Sequence, residues 1–543
     1  MLGLMQQHPL LISDLIRFAA RHHGDGEIIS RRVEGDIHRT TWRDVELRAK
    51  QVAQALDAWQ IAPAARIGTL AWNGYRHLEL YYGVSGSQRV LHTINPRLLP
   101  DQIAWIIHNA GDQVLCFDLT FLPIVRQIHT HCPDVRHWVA LCDADKLPSD
   151  SGIPNLVSYE GWVGPHKGDY GWPVFDENTA AGLCYTSGTT GNPKGALYSH
   201  RSTVLHAWAV ALPDAMNLSA CDVALPLVPM FHVNAWGLPY AAALTGAHLA
   251  LPGPLMDGKS VYELIELAQV TVAGGVPTVF QMLLAHVQNN RLKFSSLRRA
   301  VIGGAAAPPA LLAAFRNDYG VAAYPAWGMT ETSPIGTSAV LKKKHLAQSE
   351  AEQAQRLVKQ GRTLFGVDLK IVGANGRELP WDGVAAGDLY IKGHWVLDRY
   401  FLAEQDNPLD EDGWFPTGDV ATMDPDGYMH ITDRSKDVIK SGGEWISSIE
   451  IENIAMGHPA VALAACIGIK HPKWDERPVV AVTLRPGQEV TREELLAFYA
   501  GKLPKWQIPD DVLFVDEIPI GATGKMLKSR LREQLRDYKL PGT

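Results

Sequence analysis

Between residues 180 and 330, short apolar runs alternate with stretches of helical spacing, and that alternation leaves few architectures open. Residues 180–186, 270–275, 298–304 and 321–327 read as strands, and residues 278–286 and 309–318 between them read as helices. Pro309 suits a first helical turn, where a missing N–H costs nothing. Strands apolar at nearly every position are buried on both faces, so the pattern predicts parallel sheet covered by helices, with ligands at the carboxyl ends of the strands. Glycines and polar residues collect at those ends. The predicted class is therefore α/β.

After residue 360 the pattern changes to short strands with turn signals, as in Val367-Asp368-Leu369-Lys370 and Gly387-Asp388-Leu389-Tyr390, and the helices largely disappear. A small antiparallel unit, a small β-barrel, is expected over about 360–432. The charged, glycine-containing stretch 433–443 then leads into a compact α+β stretch of roughly a hundred residues, a common domain size. The expected division is an N-terminal domain over 1–432, a hinge at 433–437 and a mobile C-terminal domain over 438–543.

A net charge of −8 gives no global attraction to phosphate backbones or anionic membranes, so nucleic acid is an unpromising partner. The 6 cysteines show neither a CxxC pair nor regular spacing, which fits a reducing cytoplasm and no zinc site. The first residues lack a basic leader and a small-residue cleavage site, so no secretory signal is read there. Residues 223–256 contain no Asp, Glu, Lys or Arg, but Pro226, Pro229, Pro239, Pro252 and Pro254 with His232, Asn234 and His248 would break a spanning helix. That segment is expected to be buried core beside a pocket. His129-Thr130-His131-Cys132 offers metal ligands, but adjacent residues rarely converge on one ion, so a solvated helix end is expected.

At the end of the first of these strands stands Tyr185-Thr186-Ser187-Gly188-Thr189-Thr190-Gly191-Asn192-Pro193-Lys194-Gly195. It is built like a phosphate cradle: glycines let the backbone approach, N–H groups and hydroxyls donate to oxyanions, and Lys194 adds positive charge. It lacks the GxxxxGK[ST] spacing of a Walker A loop. The run resembles the signature of the adenylate-forming superfamily of acyl-CoA synthetases, adenylation domains and luciferases.

Further motifs of that superfamily follow in order along nearly the whole chain. Gly303-Gly304-Ala305 resembles the turn bordering the adenine, and Trp327-Gly328-Met329-Thr330-Glu331 resembles a motif that usually begins with Tyr. The resemblance implies that Trp327 packs on adenine, that Thr330 contacts phosphate, and that Glu331 with Thr186 holds magnesium. Trp in place of Tyr keeps the stacking surface and loses a hydroxyl. Thr417-Gly418-Asp419 resembles the ribose motif, with Arg434 as a second ribose contact and Lys436 at the hinge position. Gly521-Ala522-Thr523-Gly524-Lys525 matches the loop of the catalytic lysine, so Lys525 is expected to bridge the acid's carboxylate and the α-phosphate. The family runs its second step with the C-terminal domain swung about the hinge, which implies that Ser441, Gly442 and Gly443, with Lys440, line a pantetheine tunnel.

Val228-Pro229-Met230-Phe231-His232-Val233-Asn234-Ala235-Trp236 resembles the acyl-pocket segment of fatty-acyl-CoA synthetases, with Trp236 as gate and His232 near the carboxylate. Gly274, Gly275, Val276, Pro277 and Met329 are the expected neighbours. The resemblance is nearest to medium-chain fatty-acyl-CoA synthetases and 3-methylmercaptopropionate-CoA ligases. It implies an acid–thiol ligase using ATP, Mg2+ and coenzyme A, cytoplasmic, of a kind whose relatives are often homodimers. A medium-chain fatty acid is the expected substrate, with 3-methylmercaptopropionate as the alternative. A stand-alone enzyme loading a carrier protein and a non-catalytic nucleotide binder stand further off; the presence of Lys194, Glu331, Asp419, Arg434 and Lys525 together speaks against the latter.

Overall fold

A computed structural model describes residues 1, 3–186, 192–403, 407–441, 444–521 and 526–540. Two large sheets carry the first two thirds of the chain. One has seven strands in the order Val157–Ser158, His137–Ala140, Asp112–Phe117, Arg66–Leu70, Val90–Thr93, Ala180–Tyr185, Gly195–Ser199. All its pairings are parallel except the last, an antiparallel hairpin. The other has nine strands, parallel from Ala322–Gly328 through Arg299–Ile302, Val272–Gly275, Val223–Pro226 and His248–Leu251 to Glu27–Arg31.

The strands and helices expected between 180 and 330 all form, within a few residues of the predicted ends. The helices are Pro277–Asn289 and Pro309–Tyr319, each with proline in its first turn, and the second closes on Gly320 at φ +66°, the left-handed cap that glycine takes without strain. One feature differs from the sequence reading. Ala180–Tyr185 joins the first sheet, whereas the other three predicted strands join the second.

Between the sheets runs the helix Tyr75–Gly86, every residue of which is buried. Its Tyr81 hydroxyl donates to the Met230 carbonyl, its Tyr82 hydroxyl to the Pro239 carbonyl at 2.7 Å, and the nearby Asn73 amide to Pro226 and Val228, both at 2.9 Å. The uncharged segment 223–256 is thus interior, its polar backbone satisfied by side chains from the first sheet's half. No helix among the described residues is long and apolar enough to cross a membrane.

The β-rich part is a four-stranded antiparallel meander of Val367–Val372, Ala386–Gly393, Phe415–Met423 and Met429–Arg434. After it a five-stranded sheet with helices Ser448–Met456, Arg492–Phe498 and Lys528–Gln534 encloses its own apolar core around Ile439, Ile451, Cys466, Val480 and Tyr499. The charged stretch joining the two is not a solvated linker. Asp433 is buried and accepts from the Ser448 N–H at 2.6 Å, and Asp437 pairs with Arg532 at 2.6 Å. Lys528, also buried, pairs with Glu452 at 2.6 Å. All six cysteines are unpaired. The His129–His131 turn ends on Cys132, and no cluster of three or more His, Cys, Asp or Glu side chains that could hold a metal occurs among the described residues.

Candidate functional site

The Ser/Thr/Gly run joins the paired strands Ala180–Tyr185 and Gly195–Ser199, and so follows the carboxyl end of a buried strand. Its base is closed by the Thr186 N–H donating to the Lys194 carbonyl at 2.8 Å and by the Lys194 N–H donating to Thr186 Oγ1 at 3.2 Å. Ser187, Gly188, Thr189 and Thr190 lie outside the described residues. The Lys194 ammonium stands 5.0 Å from the centroid of the Tyr400 ring, and the Tyr400 hydroxyl donates to Glu331 Oε1 at 2.7 Å. Lys194, Tyr400 and Glu331 therefore form one line of contacts at the mouth of the loop.

Two backbone bonds hold that line: Phe401 N–H to the Gly195 carbonyl and Leu397 N–H to the Glu331 carbonyl, both at 2.8 Å. Thr330 and Glu331 are buried, and the Tyr198 hydroxyl secures the Thr330 carbonyl at 2.7 Å. Burial, and then the Glu331 charge, push the Tyr400 phenol well above its ordinary pKa, so it remains a donor. One oxygen of Glu331 is thereby oriented by Tyr400. Among the described residues a carboxylate with the Tyr400 hydroxyl beside it, outside any cluster of three or more His, Cys, Asp or Glu, is a donor set that suits Mg2+, which takes one or two carboxylates plus substrate phosphates. Tyr400→Phe is expected to weaken apparent Mg2+ affinity by about 10-fold or more, as loss of partners of metal ligands does. Titration of activity with Mg2+ at saturating ATP checks this; an unchanged midpoint would contradict it.

A second group forms across the β-rich sheet. Asp419 and Arg434 face each other on adjacent strands, and the Arg434 Nε to Asp419 Oδ1 distance is 2.8 Å. The Trp327 indole N–H donates to the other oxygen, Oδ2, at 3.0 Å. The indole thus supplies a donor where the more usual Tyr would have offered a hydroxyl. The Trp327 ring lies on Gly336, where an added Cβ would stand 2.5 Å from the ring, so that position requires glycine. Gly328 and Met329 carry the chain from Trp327 to Thr330.

The third group lies at the ends of the second sheet. Built on their backbones, a Cβ at Gly303 or at Gly274 would meet the Trp236 ring at 3.0 or 3.6 Å, and one at Gly304 would meet Val276 at 3.2 Å. Gly275 is buried, where a Cβ would crowd Phe280 and Leu227. Ala305 is exposed at the rim. His232, half-buried, caps the start of a turn in which Val233, Asn234, Ala235 and Trp236 all have positive φ, from 47° to 57°, followed by Gly237 at 73°. Left-handed backbone costs about 1–2 kcal/mol per L-residue and is most unfavourable for a β-branched one such as Val233. Several kcal/mol of strain therefore has to be held by the surroundings.

On the C-terminal side, Lys436 and Lys440 are exposed. The Lys440 N–H donates to Glu476 at 3.0 Å and the Ser441 hydroxyl accepts from Arg477 at 3.1 Å, so their described bonds run within the C-terminal sheet. Gly442, Gly443 and Lys525 lie outside the described residues. Among side chains given no role by sequence, Tyr400 joins the candidate set. It lies 69 positions from Glu331, in no motif, and nothing local marks it. Asn234 sits inside a quoted motif, yet its buried contacts emerge only from the fold.

Residues 16–401 match the family described as AMP-binding enzyme, and residues 450–525 match the AMP-binding enzyme C-terminal domain. The chain is 53% identical over 537 residues to a 3-methylmercaptopropionyl-CoA ligase of Ruegeria lacuscaerulensis, covering 99% of each. It is 49% identical over 540 residues to a medium-chain-fatty-acid–CoA ligase of Ectopseudomonas oleovorans, covering 99% of this chain and 98% of that one. Among solved structures, an anthranilate CoA ligase in complex with anthranoyl-AMP superposes with a TM-score of 0.86 at 25% identity, covering 98% of each chain.

Proposed function

We propose the following mechanism from the premise that the chain belongs to the AMP-binding enzyme family. It is an acid–thiol ligase, an AMP-forming acyl-CoA synthetase whose substrates are a carboxylic acid, ATP and coenzyme A. The observation that carries the reading is the Lys194–Tyr400–Glu331 line of contacts, joined along the chain from Glu331 to Trp327 to the Trp327–Asp419–Arg434 group.

In this account Asp419 and Arg434 take the ribose hydroxyls, Trp327 and the 303–305 turn take the adenine, and Thr186, Ser187, Gly188, Thr189, Thr190 and Lys194 cradle the phosphates. Thr330 contacts the α-phosphate. Glu331 and Thr186 would hold Mg2+, which when bound neutralises phosphate charge. A carboxylate oxygen attacks the α-phosphorus as its bond to pyrophosphate breaks, and Lys525 bridges the two groups as charge builds. His232 lies beside the acid's carboxylate. The coenzyme A thiol then attacks the acyl carbon, losing its proton, and AMP leaves with the electron pair of the broken C–O bond. Residues 433–437 serve as the hinge between domains 1–432 and 438–543, and the swing about Lys436 replaces Lys525 by Lys440, Ser441, Gly442 and Gly443 beside the pantetheine arm. A cytoplasmic homodimer is part of the proposal, to be checked by fractionation and sedimentation.

Acid size turns on Trp236. The ring lies across Gly303 and Gly274, and a ring kept there suits a short acid such as 3-methylmercaptopropionate, the acid named in the Ruegeria relative. The medium-chain reading, supported by the Ectopseudomonas relative, requires the ring to move aside. Trp236→Ala is expected to raise kcat/KM for decanoate relative to butyrate by about 10-fold or more, since each methylene accommodated is worth about 1–3 kcal/mol. A folded variant with an unchanged chain-length profile would show that Trp236 is ordinary core.

A further inference from the structure

The left-handed turn at Val233–Trp236 has one polar side chain turned inward. Asn234 is 7% exposed, and its carboxamide oxygen faces two donors from the first sheet, with the Tyr81 hydroxyl of the central helix beside them. The Cys184 thiol stands 3.4 Å away, and the Thr93 and Tyr81 hydroxyls 3.5 Å each. Thr93 and Cys184 are themselves 3.0 Å apart, and Tyr81 also donates to the Met230 carbonyl in the same segment. The carbonyl of Asn234 accepts from the Gly237 N–H at 2.9 Å, closing the turn. Asn tolerates left-handed backbone better than Val, Ala or Trp do, and here its side chain is also held by distant parts of the chain. It is therefore the member of the turn best able to hold the other three.

Two residues further on, Trp236 leaves the turn on the opposite side and lies against Gly303 and Gly274. Asn234 touches the floor at Cys184, Trp236 touches the pocket, and the backbone joining them is held in a conformation that L-residues avoid. A strained element of this kind has discrete alternatives, because relief of the strain carries the attached side chain to a new place.

We propose that Asn234 is a positioning residue for acid selection: anchored to Cys184 and Thr93, it holds the left-handed turn that keeps the Trp236 ring across Gly303 and Gly274. The inference rests on the reading of Trp236 as a wall of the acid pocket. Asn234 itself does not contact the acid. Because Cys184 lies two residues before Thr186, the anchor also ties the acid side of the site to the strand that bears the phosphate loop.

The test is a double-mutant cycle between Asn234→Gly and Trp236→Ala, read as kcat/KM for acids from propionate to dodecanoate and for 3-methylmercaptopropionate. Glycine adopts the left-handed backbone freely, so this change removes the anchor without adding strain. Asn234→Gly is expected to change the decanoate-to-butyrate ratio by fivefold or more while KM for ATP stays within twofold. In the Trp236→Ala background the same change is expected to leave the ratio within twofold. An equal loss for every acid, or the same ratio change in both backgrounds, would overturn the positioning role. If Trp236→Ala itself leaves the ratio unchanged, the pocket reading fails, and the inference with it; if only Asn234→Gly leaves it unchanged, the inference alone fails. Should Asn234→Gly not fold, Thr93→Val with Cys184→Ala, which takes two donors from the Asn234 oxygen, is expected to shift the same ratio, and no shift would overturn the proposal.

Discussion

Replacing Lys525 by alanine is expected to slow adenylation by about 10²–10³-fold, the loss that follows removal of one preorganised donor to developing charge. Thioester formation from acyl-adenylate supplied ready-made is expected to stay within a fewfold of the wild type. The asymmetry follows from the chemistry. Attack of one anion on another requires a cation between the carboxylate and the α-phosphate, whereas attack of a thiol on an acyl-adenylate finds its leaving group already activated. Pyrophosphate release without coenzyme A, and acyl-CoA formation from the adenylate, separate the two steps. Equal loss in both would remove Lys525 from the adenylation step and reduce it to a structural lysine.

Asp419→Ala is expected to weaken ATP affinity by roughly 10- to 150-fold, from about 1.5–3 kcal/mol for a hydrogen bond to a charged group. Two effects combine. The ribose loses its acceptor, and the Trp327 indole N–H and Arg434 guanidinium lose the carboxylate that spaces them 3.0 and 2.8 Å from its two oxygens. KM for the acid is expected to change little, because Trp236 and the 274–276 strand end lie in a separate group of contacts. Asp419→Asn, which keeps one oxygen acceptor, is expected to fall between. Unchanged ATP affinity in the alanine variant would show that the ribose assignment is wrong.

Much of the α/β frame can be read from local pattern, because strands such as Val272–Gly275 and Arg299–Ile302 are short, mainly apolar runs that end in glycine or run straight into it. Which sheet a strand joins cannot be read that way. Ala180–Tyr185 resembles the strands that follow it, yet it pairs with Val90–Thr93, about 90 residues earlier, in the other sheet. Parallel pairing is a long-range choice with no mark in the local sequence.

The site divides along the same line. Asp419 and Arg434 stand in motifs, and their pairing follows once the two strands lie antiparallel. Tyr400 stands in none and reaches Glu331 only because the Gly195–Phe401 backbone bond brings distant segments together. The turn at Val233–Trp236 runs against the propensity of its own residues, so sequence reasoning has no route to it. The charges at 433–437 mark a hinge in the sequence without telling which of them are interior, and Asp433 and Asp437 are, since they find Ser448 and Arg532 as partners. Conflicts between local rule and tertiary structure are concentrated where strands end and domains join, which is where function is expected.

The central claim, that this chain activates a carboxylic acid through an adenylate and passes it to coenzyme A, is tested most directly by AMP release. The purified protein would be given ATP, Mg2+ and coenzyme A with 3-methylmercaptopropionate, straight-chain acids from propionate to palmitate, and cinnamate, each with and without coenzyme A. The account predicts AMP release that depends on both acid and coenzyme A, with its maximum among the short to medium acids. AMP from no acid, or release indifferent to coenzyme A, would contradict it.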